Sequence, residues 1–211
     1  MTGNLSRLDE LVAAVAVAVP AARGEDCVRV GIDGVDGAGK TTFAAKLGRA
    51  LQERGRPVVR ISVDDFHRPR ADRYRRGRDS PTGFWLDAFN YARLRADVLV
   101  PLGPGGDRRF RPAAHDLASD RVLALPCQQA EPGSVVLVDG LFLHRDELAG
   151  HWEFSVFLDV PFDISVPRVA SRDATTADRD SPSVRRYVGA QEIYLAECSP
   201  RGRASMLIDN S

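Results

Sequence analysis

The chain has 211 residues, 44% of them hydrophobic and 27% charged, enough apolar material for one compact domain with a real core. Its 29 basic and 29 acidic residues cancel to a formal net charge of zero, so nothing draws the chain as a whole to nucleic acid or to an anionic membrane. Three separated cysteines, Cys27, Cys127 and Cys198, form no C-x-x-C pair, which indicates neither a disulfide framework nor a zinc site and fits a reducing, cytoplasmic setting.

In chain order, an apolar run over residues 11–19 comes first. It is too short to span a bilayer, and Asp9 and Glu10 stand where a signal peptide is positive. The run is read as part of a helix over residues 5–19. Val28-Arg29-Val30-Gly31-Ile32 then has the β-branched character of a buried parallel strand. Residues 34–41 follow as Gly-Val-Asp-Gly-Ala-Gly-Lys-Thr, the phosphate-binding pattern G-x-x-x-x-G-K-[ST]. Gly34, Gly37 and Gly39 free the backbone so that N–H groups converge on a phosphate. The next helix adds its positive end. Asp36, Ala38 and Thr42 belong to the same nucleotide-binding segment. Lys40 is placed to reach the terminal phosphates of ATP, and the Thr41 hydroxyl to ligate Mg²⁺. Phe43, Ala44, Leu47, Ala50 and Leu51 recur at helical spacing until Gly55 and Pro57 stop the helix.

Further strand-like runs occupy residues 57–63, 134–139, 154–160 and 204–209. Their alternation with helical segments predicts a three-layer α/β sandwich of the phosphate-loop NTPase type. A mostly parallel central sheet is flanked by helices in a single domain over residues 1–211.

Several side chains point to phosphoryl transfer. Asp64 and Asp65 close the second strand, on the sheet edge that carries the phosphate loop. A carboxylate there accepts the proton of a hydroxyl attacking the γ-phosphate. On an extended strand end consecutive side chains face opposite ways, so only one of the two serves. Asp139 ends another apolar strand, where an acid stands near Mg²⁺. Arg168 and Arg172, four apart, share a helix face. With Arg179, Arg185 and Arg186 they predict a lid over residues 168–186 that closes on the phosphates. Residues 67–79, rich in arginine, and 101–111, rich in Gly and Pro, read as mobile loops. The arginine run suits an anionic substrate, a nucleic acid or plain solvation, with solvation the commonest case. Phe84 and Trp85 stand shortly before Asp87; they either stack a base or belong to the core.

These segments resemble the uridine kinase/phosphoribulokinase group of phosphate-loop kinases. Residues 31–42 are similar to the group's nucleotide loop. Val63-Asp64-Asp65-Phe66-His67 resembles its Asp-Ser-Phe-Tyr/His segment, which implies that Asp64 is the base. Asp87-Ala88-Phe89 resembles the Asp-Ala-Phe segment whose acid holds ribose hydroxyls. Residues 168–173 resemble the Arg-x-x-x-Arg-Asp lid, and residues 204–210 the terminal strand. The resemblance implies an ATP- and Mg²⁺-dependent kinase acting on a hydroxyl of a nucleoside such as uridine or cytidine, with His67, Phe84, Trp85 and Asp87 at the acceptor. The chain departs from the group at Asp139, where Glu is usual, at His67, where Tyr is usual, and at Trp85-Leu86, where His and Pro are usual. Phe110 to Asp116 is only loosely similar to the group's pyrimidine-reading segment. Other acceptors in view are a pentose phosphate or a pantothenate-like alcohol. A reading of another class is a nucleotide switch or ATPase without a small acceptor.

Overall fold

The computed structural model describes residues 6–179 and 181–211. Leu5, the first residue of the expected N-terminal helix, and Asp180, within the expected lid, lie outside the described residues. Five strands form the central sheet: β1 (Val28–Gly34), β2 (Val58–Ser62), β3 (Val135–Asp139), β4 (Phe154–Asp159) and β5 (Met206–Asp209). Their order is β2-β3-β1-β4-β5, and every pairing is parallel. β1 therefore lies at the centre, and the loop that leaves its C-terminal end has a strand on either side.

Alternation along the strands builds a core on each face. Val135 and Leu137 of β3 pack with Val28, Val30 and Ile32 on one side. Val136 and Val138 pack with Ile61, Phe142 and Phe157 on the other. Helix α1 (Arg7–Ala18) and helix α2 (Lys40–Glu53) cover the first face. The buried stripe of α2 is Phe43, Ala44, Leu47, Gly48 and Leu51, as its spacing predicts. Ser6 caps α1 by accepting from the Asp9 amide, and Lys46 reaches from α2 to Asp9 at 2.5 Å. The second face is covered by α3 (Pro81–Asp87) and α5 (Pro182–Cys198), which pack on each other. Between β4 and α5, helix α4 (Phe162–Asp173) lies over the loop edge of the sheet.

The two expected loops are more ordered in shape than their composition suggests. Residues 67–79 contain a helical turn, Arg70–Arg73. Residues 101–111 fold into a compact turn in which the Arg108 amide donates to the Pro101 carbonyl, and Arg109–Phe110 pairs with Gln128–Gln129. Among the described residues, no helix is long and apolar enough to cross a membrane.

Candidate active site

The C-terminal ends of β1, β2 and β3 open onto a cleft of about 860 Å³. This is the edge where open parallel sheets bind ligands. The phosphate loop forms its floor: Asp36, Gly37, Gly39, Lys40, Thr41 and Thr42 all line the cleft. Gly34 and Ala38 do not. Ala38 is fully buried, and a Cβ at Gly34 would stand 2.6 Å from the Leu158 carbonyl, so both serve the packing of the loop on β4. At Gly37 φ is +78°, and a Cβ would meet the Ser165 carbonyl of α4 at 2.4 Å. Glycine there lets α4 lie directly on the loop.

Lys40 opens α2, and its Nζ donates to the Val35 carbonyl at 2.9 Å, curling back over the loop. Burial pulls its pKa below the ordinary lysine value, opposed by Asp36, Asp33, Asp64 and Asp139 nearby. Thr41 Oγ1 donates to Asp139 Oδ2 at 2.8 Å. Burial raises the Asp139 pKa, against the Thr41 hydrogen bond and the charges of Arg60 and Lys40. A hydroxyl touching a buried carboxylate beside a phosphate loop is an oxygen set that suits Mg²⁺. That ion binds through one or two protein groups and takes its remaining ligands from water and phosphate. Accordingly, the described residues hold no cluster of three or more His, Cys, Asp or Glu with metal-binding geometry.

Asp64 and Asp65 do not sit on an extended strand end. β2 stops at Ser62, whose hydroxyl accepts from the Asp64 amide, and residues Val63–Phe66 form a 3₁₀ turn. The opposite-face expectation therefore fails in its premise: side chains one apart on a 3₁₀ turn diverge by about 120°. Asp64 lines the cleft; Asp65 does not. The Asp65 carbonyl instead accepts from the Ala114 amide, and desolvation raises its carboxyl pKa. His67 lines the cleft and bonds through Nδ1 to the Asp64 carbonyl at 2.7 Å, so Nδ1 carries the proton. Burial lowers the His67 pKa, which favours the neutral ring.

The expected acceptor residues separate. Phe84 lines the cleft, with the Tyr187 ring edge-on at 4.8 Å. Trp85 does not line it. Its ring packs on Phe142 and lies under the Arg145 guanidinium, whose carbon is 4.2 Å from the ring centroid. Adjacent helical side chains point about 100° apart, so the two rings cannot share a wall, and Trp85 is core. Asp87 is 1% exposed, does not line the cleft, and binds Arg75 and Arg76 through its two oxygens. Burial works to raise its pKa, but the two arginines overcome it and hold the carboxyl below its ordinary value. Asp87 thus supplies counter-charge to the arginine-rich run. His115, in the loosely matching segment, is buried against Asp120 and does not line the cleft.

Arg168 and Arg172 both line the cleft from α4 and are exposed. Arg168 Nη1 donates to the Asn210 carbonyl at 3.0 Å. Arg172 donates to Asp173 and, through Nη1, to Asp36 Oδ1 at 3.4 Å. These two carboxylates raise the Arg172 pKa further, against burial. α4 contains Pro167 and ends at Ala174 in the left-handed conformation.

Two groups of residues escaped the sequence reading. One is the cleft-facing stripe of α5 that accompanies Arg186: Ser183, Val184, Tyr187, Val188 and Gln191. The spacings 183–187–191 and 184–188 mark one helix face and were available in the sequence. Gln191 Oε1 accepts from the Asp36 amide at 2.6 Å, tying α5 to the phosphate loop. The other is a buried network at Asp33. Its Oδ1 accepts from the Gly34 amide, and its Oδ2 from the Leu143 amide, His144 Nδ1 and the Tyr194 hydroxyl. Ser155 closes the network on His144 Nε2 at 2.9 Å. Only a fold brings residues this far apart in sequence together, and no local spacing announces them.

Residues 29–192 match the model of the phosphoribulokinase / uridine kinase family. Among curated proteins, the chain is 26% identical over 171 residues to a uridine kinase of Erwinia tasmaniensis, covering 77% of this chain and 76% of that protein. It is 27% identical over 168 residues to a uridine kinase of Proteus mirabilis, covering 75% and 74%. Among solved structures, a possible uridine kinase from Bacillus stearothermophilus superposes with a TM-score of 0.74 at 23% identity, covering 96% of this chain and 97% of that one. A D-glycerate 3-kinase from Cryptococcus neoformans superposes at 0.55 and 13% identity, covering 89% and 85%.

Proposed function

The chain belongs to the phosphoribulokinase / uridine kinase family, and from that membership we propose that it transfers the γ-phosphoryl group of ATP to a hydroxyl of a small molecule. One observation carries the reading. The phosphate loop, Asp64 and the Thr41–Asp139 pair border a single cleft that continues past them into a second lobe under α3 and α5. A nucleotide switch without an acceptor has no use for that second lobe.

In this reading the loop amides and Lys40 hold the β- and γ-phosphates, and Arg168 and Arg172 approach from α4 to balance transferred charge. Thr41 and Asp139 would hold Mg²⁺, which when bound would neutralise phosphate charge. The acceptor hydroxyl attacks the γ-phosphorus, the bond to the bridging oxygen breaks, and ADP leaves. The hydroxyl proton passes to the Asp64 carboxylate. Asp64 makes no side-chain hydrogen bond to the described residues, which leaves its oxygens available for that proton. We place the whole reaction in one domain with a lid over residues 168–186, in the cytoplasm.

The uridine kinases among the relatives support a nucleoside, uridine or cytidine, as acceptor. The engagement of Asp87 by Arg75 and Arg76 favours a second reading, in which the acceptor is another hydroxylated metabolite. A screen of ADP release from ATP–Mg²⁺ against nucleosides, pentose phosphates, hydroxy acids and pantothenate tests the proposal. A kinase shows acceptor-dependent ADP release that Lys40→Ala abolishes in a folded protein. Release that no acceptor stimulates would make the chain an ATPase or switch.

A further inference from the structure

The second lobe carries two guanidiniums for which the phosphate machinery described above has no task. Arg73 and Arg186 are 8% and 5% exposed, yet both line the cleft. Arg186 projects from the cleft-facing side of α5. Its Nη1 donates to the carbonyls of Gly77 at 3.4 Å and Arg78 at 2.5 Å. Its Nε is buried without a partner, and its Nη2 is bonded to none of the described residues. No carboxylate of the described residues lies within ion-pairing distance of it. The rings of Tyr74 and Phe84 flank its guanidinium carbon, with centroids at 4.9 and 5.2 Å.

Arg73 is only slightly better served. Its Nη2 reaches Asp120 Oδ1 at 3.3 Å, an oxygen that also takes the Arg70 amide and His115 Nε2. Its Nε is buried without a partner. Arg73, Arg78 and Arg186 all stand within 6 Å of the centre of the Tyr74 ring.

A buried cation without a counter-charge is expensive. It persists where a ligand supplies the missing charge. The guanidinium fork is shaped for a phosphate or carboxylate. Two further facts point the same way. Asp87, the acid that sequence resemblance gave to sugar hydroxyls, is bound by Arg75 and Arg76 and withheld from the cleft. Apart from Asp64, His67, the two arginines and the uncharged Ser183 and Gln191, the wall here is apolar or aromatic: Tyr74, Phe84, Leu117 and Tyr187.

Building on the kinase reading of this cleft, we propose that the acceptor is an anion, a hydroxylated molecule whose phosphate or carboxylate group binds Arg73 and Arg186 while its hydroxyl faces Asp64. A neutral nucleoside leaves Arg186 without a counter-charge and Arg73 with only the shared Asp120 oxygen. The aromatic rings exclude water around the anion and strengthen its hold.

The test uses the full chain with Mg²⁺ and a non-hydrolysable ATP analogue. Ribose 5-phosphate, uridine 5′-phosphate, glycerate and uridine are titrated by calorimetry, and ADP release with ATP is measured for each. The phosphates and the hydroxy acid separate the two sources of negative charge. At least one anion binds, and uridine binds at least about tenfold more weakly. Arg186→Gln raises KM for the anionic acceptor on the order of ten- to a hundredfold, the scale of a lost charged hydrogen bond, and leaves KM for ATP within about twofold. Should Arg186→Gln fail to fold, Arg73→Gln, which gives up one hydrogen bond, carries the same measurement. Anion binding without turnover would sink the kinase reading and leave the anion site standing. The inference is overturned if none of the anions binds, if uridine outperforms them all, or if Arg186→Gln weakens ATP and spares the acceptor.

Discussion

Asp64 and Asp65 are chain neighbours with different tasks. One lines the cleft with its carboxylate free, and the other turns away and uses its carbonyl to anchor the Ala114 amide. Asp64→Asn removes the proton acceptor and keeps the shape, so turnover is expected to fall by about two to four orders of magnitude with ATP binding retained. Asp65→Asn is expected to cost far less. Steady-state ADP release on both proteins checks this, and an exchange of the two phenotypes would transfer the role to Asp65. Trp85 makes the opposite point. Its ring is wedged between Phe142 and Arg145, so Trp85→Ala should lower unfolding free energy by about 3–5 kcal/mol in urea. Trp85→Phe should leave acceptor KM unchanged. A raised KM with unaltered stability would return the residue to the acceptor site. The phosphate loop, the Asp64-Asp65 pair and Asp139 were legible in the sequence because each lies at or just past the end of an apolar run, and family resemblance selected Asp64 from the pair. Trp85 and Asp87 were not, because a helix decides their direction and partners eleven and twelve residues upstream, Arg76 and Arg75, decide the charge on Asp87.

Helix α4 is the element most exposed to change. It rests on the loop through the gap at Gly37, its interior holds Pro167, and the segment after it leaves through a left-handed residue. Pro167 has no N–H to give to the preceding turn, which loosens the helix before Arg168. Two outcomes follow at this scale. Gly37→Ala places a methyl 2.4 Å from the Ser165 carbonyl at a positive φ, so it should lift α4 and weaken ATP binding together, read as a lower melting temperature and a higher KM for ATP. Hydrogen exchange across residues 172–179 should slow at least about tenfold when an ATP analogue binds, since lids order on their substrate. The middle of β3 should be unchanged. Equal slowing everywhere would indicate global stabilisation in place of a lid. Arg168 and Arg172 were readable as a pair on one helix face from their spacing of four. The α5 face opposite them shows the same spacing, but it mixes Ser, Val, Arg, Tyr and Gln, so no single residue type flagged it.

At the scale of the molecule, one carboxylate joins the layers. Asp33 holds the start of the phosphate loop, the segment after β3 and helix α5 through Gly34, Leu143, His144 and Tyr194. Tyr194→Phe strips it of a donor and leaves the His144 amide without its acceptor, at an expected cost of about 1–3 kcal/mol in urea unfolding. Because the loop shares that carboxylate, ATP affinity should fall in the same protein. Loss of stability with unchanged affinity would uncouple the network from the site. The three-layer architecture was legible from strand and helix alternation. The strand order was not, because it depends on which distant runs pair.

That order also dictates when the site comes into existence. Val28 pairs with Val135 and Val30 with Phe154, and β5 joins the sheet only through β4, from Val156–Met206 to Asp159–Asp209. No two strands of the central sheet that follow one another in the chain are joined by a local hairpin, so that sheet cannot begin from its early residues alone. On the ribosome, Lys40 and Thr41 emerge long before the partners of β1 have been made, and Asp139 must arrive before Thr41 has its neighbour. Nascent chains truncated before β3 should therefore be unable to retain ATP, and until β3 is made the apolar edges of β1 stay open to chaperones and to aggregation.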